Sequence, residues 1–271
     1  MNARDALRDA AARFGFSATP RLDAELLLAH ASGVTRDELL LDLDRPAPST
    51  FAVLVERRER HEPVAYITGR RGFWTVELKV GPGVLVPRAD SETLIEAAVD
   101  HFAGAPGPGR VLDLGTGPGT LLLAALDQWP AATGLGVDAS AAALAYAEAN
   151  ARALGMAGRA TFRRGDWADG VAERFDLILC NPPYIADGEA LPPEVGAHEP
   201  ARALFAGADG LDAYRVLAPQ LPRLLAPGGV ACVEIGWTQA AAVRALFEAA
   251  GLRTGLRQDL GGRDRCVVAT P

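Results

Sequence analysis

The residues best suited to chemistry are Asn181-Pro182-Pro183-Tyr184, which directly follow the apolar run Phe175-Asp176-Leu177-Ile178-Leu179-Cys180. An apolar run of this length bounded by turn residues reads as a buried strand, and two prolines end it abruptly. Open α/β sheets keep their ligands at such carboxyl ends. The Asn181 side-chain oxygen and the Pro182 carbonyl, facing the same way, can accept both hydrogens of a planar amino or amide group. The Tyr184 ring would then lie against that group's flat face. Asn181, Pro182 and Tyr184 are therefore the candidate catalytic residues, although a plain strand-terminating turn also fits these four positions.

Upstream residues decide between the two. Asp113-Leu114-Gly115-Thr116-Gly117-Pro118-Gly119 ends an earlier strand and leads into a helix. Glycines there let the chain turn sharply and let a ligand approach closely. The spacing is G-x-G-x-G, not the G-x-G-x-x-G of dinucleotide sites, and no phosphate-binding lysine follows. A cofactor without phosphates fits better than NAD or ATP. Gly136-Val137-Asp138 ends the next strand about 20 residues on, where a carboxylate can accept from both hydroxyls of an unphosphorylated ribose. Asp138 equally suits the start of the helix beginning near Ser140. At the end of the third strand, Asp166 can accept from an adenine amino group while Trp167 packs on the ring; a surface turn is the plainer reading. Glycine loop, ribose acid, adenine contact and Asn-Pro-Pro-Tyr, in this order along one sheet edge, together read as an S-adenosylmethionine-dependent methyltransferase acting on a planar nitrogen.

The elements that must position these residues follow an alternating pattern. Strands are expected at 110–114, 133–138, 160–164, 175–180, 229–235, 252–257 and 265–269, with helices at 119–127, 140–154, 210–226 and 238–250. Alternating βα units imply an α/β fold with a doubly wound parallel sheet. Residues 1–71 read as a small helical bundle: Thr19-Pro20 places a cap before a first-turn proline, Thr35 with Glu38 forms a capping box, and Pro48-Ser49 opens a further helix. Alternation from Gly72 to Val80, the Gly81-Pro82-Gly83 turn and Val84-Leu85-Val86 read as a hairpin linking the bundle to a second domain over 88–271. Asp90 or Ser91 is the expected cap of the helix that follows. Ile185 to Ala208 has no clear periodicity, and long loops inside compact domains are usually functional.

Composition bounds the partners. The 271 residues carry 27 Lys and Arg against 34 Asp and Glu, a formal net charge of −7, so no global field draws the chain to nucleic acid or an anionic membrane. Lys79 is the sole lysine, so isolated arginines carry little weight. Cys180, Cys232 and Cys266 lack metal-type spacing and sit in apolar runs as small buried thiols, and no metal is expected. No charged-then-apolar leader opens the chain, and no apolar run approaches the ~20 residues of a membrane span, so a soluble cytoplasmic protein is expected. His30, His61, His101 and His198 do not adjoin the Asn-Pro-Pro-Tyr turn and are read as structural. No hydrolase elbow or zinc motif is present.

Several stretches carry a family resemblance: Tyr66-Ile67-Thr68-Gly69, Val86-Pro87-Arg88-Ala89-Asp90-Ser91-Glu92, Asp113 to Gly117, Asn181 to Ile185, Glu199 to Leu204, Gly207 to Leu211 and Asp259-Leu260-Gly261-Gly262-Arg263-Asp264-Arg265. By these the chain resembles, over nearly its whole length, the HemK-like glutamine methyltransferases that modify peptide chain release factors. The resemblance implies a helical N-terminal domain, a seven-stranded Rossmann-like methyltransferase domain, and methylation of the Gln amide in a Gly-Gly-Gln loop. It carries cofactor contacts onto Gly115, Thr116, Gly117, Gly119, Asp138, Trp167 and Asn181, to which Pro118 and Asp166 are added from the loop and strand ends. Substrate contacts fall on Asn181, Pro182, Pro183 and Tyr184, with Arg88 and Phe73 expected on the same side. A ribosomal-protein glutamine methyltransferase and a nucleic-acid amino methyltransferase share most of these motifs; a catalytically silent adenosylmethionine-binding protein would not need Asn181 to Tyr184 intact.

Overall fold

The computed structural model describes every residue from Met1 to Pro271. The chain divides into two units, one comprising Met1–Arg70 with Leu191–Glu199, the other Arg71–Ala190 with Pro200–Pro271.

The first unit is helical: α1 (Ala3–Arg13), α2 (Pro20–Ser32), α3 (Arg36–Leu41), α4 (Thr50–Glu59) and α5 (Val64–Thr68). Leu7, Phe14, Leu27, Leu28 and Leu39 close its core. The Thr35–Glu38 capping box forms as the sequence suggests. Thr19 stands at the cap position of α2 with Pro20 opening the helix, as expected, but its hydroxyl lies 3.2 Å from Asp23 Oδ1 and makes no capping bond. Arg58, buried on α4, bonds Asp23 Oδ2 at 2.9 Å and reaches Glu194 Oε2 at 2.8 Å, fastening the returning segment Leu191–Glu199 to the bundle. His198 Nε2, 3.1 Å from the Arg60 carbonyl, adds a second tie.

The second unit opens with a hairpin of β1 (Arg70–Phe73) and β2 (Val76–Lys79). Its turn lies at Trp74-Thr75, not at Gly81–Gly83, and Val84 to Val86 is not a strand. The physical reason is a change of side-chain parity: Phe73 is buried, and so are Val76, Leu78 and Val80, which requires a fold-back between them. Trp74 takes a positive φ of 54° there, and its amide donates to Glu92 Oε1 at 2.8 Å. Next come α6 (Glu92–His101), β3 (Arg110–Leu114), α7 (Thr120–Gln128), β4 (Thr133–Asp138), α8 (Ala141–Ala153), β5 (Ala160–Arg164) and β6 (Phe175–Cys180). The chain continues through α9 (Pro193–Gly196, part of the first unit), α10 (Asp212–Leu217), α11 (Leu221–Leu224), β7 (Leu225–Glu234), α12 (Ala240–Ala249), β8 (Arg253–Gln258) and β9 (Asp264–Thr270). The helix expected over 210–226 is broken in two, because Pro219 interrupts the backbone donors and Pro222 restarts the next turn.

The seven-stranded sheet runs β5-β4-β3-β6-β7-β9-β8. All ladders are parallel except those of β9, which is antiparallel to both neighbours because the short Asp259–Arg263 turn after β8 leaves no room for a crossover. Sequence order reverses between β3 and β6, so the loops after these two strands leave side by side and open a crevice. Asp113, buried at the end of β3, holds that corner. One oxygen, Oδ2, accepts from Thr116 Oγ1 at 2.6 Å and from the Leu122 amide in the first turn of α7 at 3.1 Å, while Oδ1 has no partner. Burial pushes the Asp113 carboxyl up to about 7.

Two outcomes follow from these buried charges. Arg58→Ala leaves the buried Asp23 carboxylate without its cation, held only by the Ser17 and Thr19 hydroxyls, and should cost about 3–5 kcal/mol in urea unfolding, with much of the loss recovered by replacing Arg58 and Asp23 together with Met and Leu. For Asp113, the unfolded chain gives up its proton near 3.8 while the folded form keeps it to about 7, so this group's contribution to stability falls as pH rises through that window. Asp113→Asn does not titrate there; its stability relative to wild type should rise between about pH 4 and 7 and level off above about 8, whatever constant offset the amide adds.

Candidate active site

The crevice beside β3 and β6 holds a cavity of about 290 Å³ whose wall includes Gly115, Gly117, Val137, Asp138, Asp166, Trp167 and Asn181. The wall draws on the ends of β3, β4, β5 and β6, as the strand order requires.

The glycine loop curls on itself. The Gly115 and Thr116 amides both donate to the Val137 carbonyl at 2.9 and 3.0 Å, the Gly117 amide to Asp138 Oδ2 at 2.9 Å, and the Gly119 amide to the Thr116 carbonyl at 2.9 Å. Pro118 has no amide to offer. The loop therefore presents no spare row of N–H groups of the kind that cradles a phosphate. Gly117 sits at φ +56° with nothing within 4 Å of where a side chain would begin, leaving backbone open to a ligand. Gly119 serves packing: at φ +86° it caps α7, and a methyl group there would meet Leu123 Cδ1 at 2.8 Å.

Three residues expected to touch the cofactor thus stand behind the wall. Thr116 is buried with its hydroxyl on Asp113, Pro118 is buried with its carbonyl accepting from Asn150 Nδ2 at 2.9 Å, and Gly119 faces α7. The G-x-G-x-G pattern marks a loop, and only its first two glycines reach the cavity.

Asp138 fills the structural one of the two roles left open by the sequence and leaves room for the other. Besides holding Gly117, it accepts from the Ser140 amide through Oδ1 at 2.7 Å, just ahead of α8, whose cap is Ser140. A carboxylate has about four lone-pair directions, so acceptor capacity remains for a ligand. Asp166 is exposed on the rim, and Trp167 is held at φ +48°, a region that costs a bulky residue energy and recurs at functional sites. Arg202, Pro200 and Ala203 also line the cavity. Arg202 is its sole cationic residue; it lies in the Glu199 to Leu204 stretch that carries the family resemblance, but without periodicity nothing in that stretch points to the cavity.

On the other side of the crevice, the turn after β6 is held by a buried network. Asn181 Nδ2 donates to Ser91 Oγ at 3.1 Å, and the Ser91 hydroxyl donates to Glu234 Oε2 at the end of β7. Ser91 stands at the cap position of α6, as expected, but its hydroxyl is spent on Glu234 and makes no capping bond. Tyr184 Oη lies 3.3 Å from Glu234 Oε1, and the Tyr184 carbonyl accepts from Gln239 Nε2 at 2.9 Å. Burial first, and then the Glu234 charge, push the Tyr184 phenol well above its usual range, so it stays a donor. Burial likewise pushes Glu234 up to about 7, opposed by the Ser91 hydrogen bond and the Arg265 guanidinium.

Pro183 joins Asn181 in the cavity wall, whereas Pro182 is buried and Tyr184 is turned toward Glu234. Arg88 is half-buried and near enough to Tyr184 to bear on its ionisation. Phe73, expected on the substrate side, is only 2% exposed: it is a core side chain of the hairpin and cannot meet a partner. None of the four histidines lines the cavity. The networks around Glu234 and Gln239 were missed in the sequence because their partners are far apart along the chain.

Known proteins match both parts of the chain. Residues 5–69 match the family model described as the PrmC N-terminal domain, and residues 90–197 match the methyltransferase small domain. A release factor glutamine methyltransferase of Rhodospirillum rubrum is 50% identical over 257 residues, covering 92% of this chain and 78% of the relative. One from Caulobacter vibrioides is 46% identical, covering 98% and 93% respectively. Among solved structures, a ribosomal protein L11 methylase from Lactobacillus delbrueckii subsp. bulgaricus superposes with a TM-score of 0.53 at 20% identity, covering 71% of this chain and 84% of that one, a likeness of fold. With this sheet order, this crevice and relatives of this identity over almost the whole chain, the protein belongs to the release factor glutamine methyltransferase family.

Proposed function

We propose that this enzyme transfers a methyl group from S-adenosylmethionine to the side-chain amide nitrogen of the glutamine in the Gly-Gly-Gln motif of peptide chain release factors. The observation that carries the reading is the position of Asn181: its Nδ2 donates to Ser91 Oγ, which turns Oδ1 the other way as an acceptor for the cavity whose wall also contains Asp138 and Trp167.

The residues present fit the cofactor. Asp138 offers acceptors for ribose hydroxyls, Asp166 an acceptor for an adenine amino group, and Trp167 a ring face; stacking of this kind is worth ~1–3 kcal/mol. Arg202 offers donors to a carboxylate, and Gly115 and Gly117 keep the wall thin. The glycine loop, with its amides bonded internally, suits a ligand without phosphates. Bound there, adenosylmethionine supplies an electrophilic methyl group.

An amide nitrogen is a poor nucleophile because its lone pair is delocalised into the carbonyl. The acceptors we assign to its two N–H bonds are Asn181 Oδ1 and, on the same turn, the backbone carbonyl of the otherwise buried Pro182; they fix the direction in which that pair can be used and stabilise the positive charge that grows on nitrogen. Preorganised hydrogen-bonding groups of this kind contribute ~3–4 kcal/mol each where they have been removed singly. The proton made acidic by that charge is lost without a dedicated base. Tyr184 bounds the flat face of the amide, with Arg88 close to it. The helical unit and the Ile185 to Ala208 loop are the surfaces we assign to holding the partner protein.

Asn181→Ala should abolish methyl transfer without lowering the melting temperature, and Asn181→Asp should be poor because a carboxylate brings charge where a dipole is required; near-wild-type turnover in both would reduce the motif to a turn. For the substrate, a Gly-Gly-Glu release factor should be rejected by ~10⁴ or more, since the acid cannot supply two hydrogens. An intact release factor should be methylated far better than its short Gly-Gly-Gln peptide, and deletion through Gly69 should remove that preference while cofactor binding persists. Labelled-methyl incorporation resolved by mass spectrometry checks both, and incorporation into ribosomal RNA or duplex DNA with release factor untouched would sink the reading.

A further inference from the structure

We propose that Ser91 and Glu234 are positioning residues that fix which end of the Asn181 side-chain amide faces the substrate. The inference deepens the proposed function and rests on its reading of Asn181 as an acceptor.

An asparagine side chain has two ends of nearly equal size and opposite hydrogen-bonding character. If the NH₂ end faced the cavity, it would meet the substrate NH₂ donor to donor. The local turn does not choose between the ends, since the swap is a half-rotation about one bond. The choice is made two residues away in the network. Ser91 is 2% exposed and Glu234 1%, which leaves little room for water to exchange partners with them. A serine hydroxyl has one hydrogen, and that of Ser91 is given to Glu234 Oε2. Its oxygen can then only accept, and Asn181 Nδ2 is the donor that fills it at 3.1 Å. Oδ1 is left for the cavity. With the carboxylate replaced by a group that donates to Ser91, the hydroxyl hydrogen is released toward Asn181, and the amide turns to meet it.

Glu234 fixes the turn at both ends, because its other oxygen lies 3.3 Å from Tyr184 Oη. Its surroundings keep it in place. Arg265 on β9 attracts it and is itself tied to Asp259 at 3.1 Å and to Asp90 at 3.3 Å, while Asp90 repels it from beside Ser91. Tyr214 on α10 donates to the Glu234 carbonyl at 2.9 Å. Thus the Pro-Arg-Ala-Asp-Ser-Glu stretch and the Asp-Leu-Gly-Gly-Arg-Asp-Arg stretch, which otherwise have no chemistry of their own, converge on the Asn181 amide.

The test compares wild type, Ser91→Ala, Ser91→Thr, Glu234→Gln and Asn181→Ala under saturating release factor at about pH 8.5, where Glu234 is ionised, with melting temperature and adenosylmethionine affinity measured alongside. Ser91→Ala and Glu234→Gln should lose about 10²-fold in kcat, the scale of a misplaced reacting group, with affinity for adenosylmethionine unchanged. Ser91→Thr, which keeps a hydroxyl, should recover most of the loss. Full turnover in Ser91→Ala, or a Ser91→Thr enzyme as slow as Ser91→Ala, overturns the proposal when Asn181→Ala is inactive. An active Asn181→Ala enzyme would instead remove the reading on which it rests.

Discussion

The parallel pairing of β3 with β6 is the constraint on which the rest of this enzyme depends. Val111 pairs with Leu177 and Leu114 with Cys180, so the two strands end level, and their following loops must part in opposite directions. One loop is the glycine-rich turn into α7 and the other is Asn181 to Tyr184. Hydrophobic burial holds the pair in register: Val111, Leu112, Leu114, Leu177, Ile178, Leu179 and Cys180 have no solvent exposure. A slip of one residue would turn all of these side chains to the opposite face. The crevice is therefore a product of the core, and the residues that face it inherit the rigidity of that core.

What the crevice can bind follows from how its polar groups are spent. On the cofactor side, the amides of the glycine loop close on Val137, Asp138 and Thr116, leaving carboxylates and an aromatic face as the exposed chemistry. On the other side, the Asn181 Nδ2 donates to Ser91, which turns the side-chain oxygen toward the crevice. Both sides are acceptor-rich, which suits hydroxyls and amino groups and disfavours phosphates. Two carboxyls beneath this surface, Asp113 and Glu234, are both pushed up to about 7 by burial, and each orients a neighbour: Asp113 the start of α7, Glu234 the Asn181 to Tyr184 turn. Burying them is unfavourable in itself, and the hydrogen bonds they accept offset part of that cost.

The loop after Tyr184 is less irregular than its composition suggests. It pairs Ile185 with Phe205, leaves the methyltransferase unit after Ala190, contributes the short α9 and Glu194 to the helical unit, and returns at Pro200 to place Arg202 in the cavity wall. That the segment lines the cavity near its far end, through Pro200, Arg202 and Ala203, while its middle belongs to the helical unit is a physical reason for its length.

Much of this was legible in the sequence wherever the determining interactions are local. The strands at 133–138, 160–164 and 175–180, the alternating helices, the capping box at Thr35, the three buried cysteines and the clustering of Gly115, Asp138, Trp167 and Asn181 along one sheet edge follow from periodicity, turn chemistry and strand order. The hairpin turn was misplaced because Gly-Pro-Gly is a stronger local turn signal than Trp74-Thr75, and only packing of Phe73 and Val76 on the same core resolves it. Thr116 and Gly119, cofactor residues by family resemblance, and Pro118 beside them are turned inward onto Asp113, Leu123 and Asn150. The partners that decide the site's chemistry, Ser91 with Glu234 and Asn181, lie 143 and 90 residues apart along the chain. No local propensity links such residues. Their meeting is fixed by the strand order, which sets the ends of β6 and β7 side by side, and by the exclusion of water, which leaves each buried hydrogen bond with a single partner.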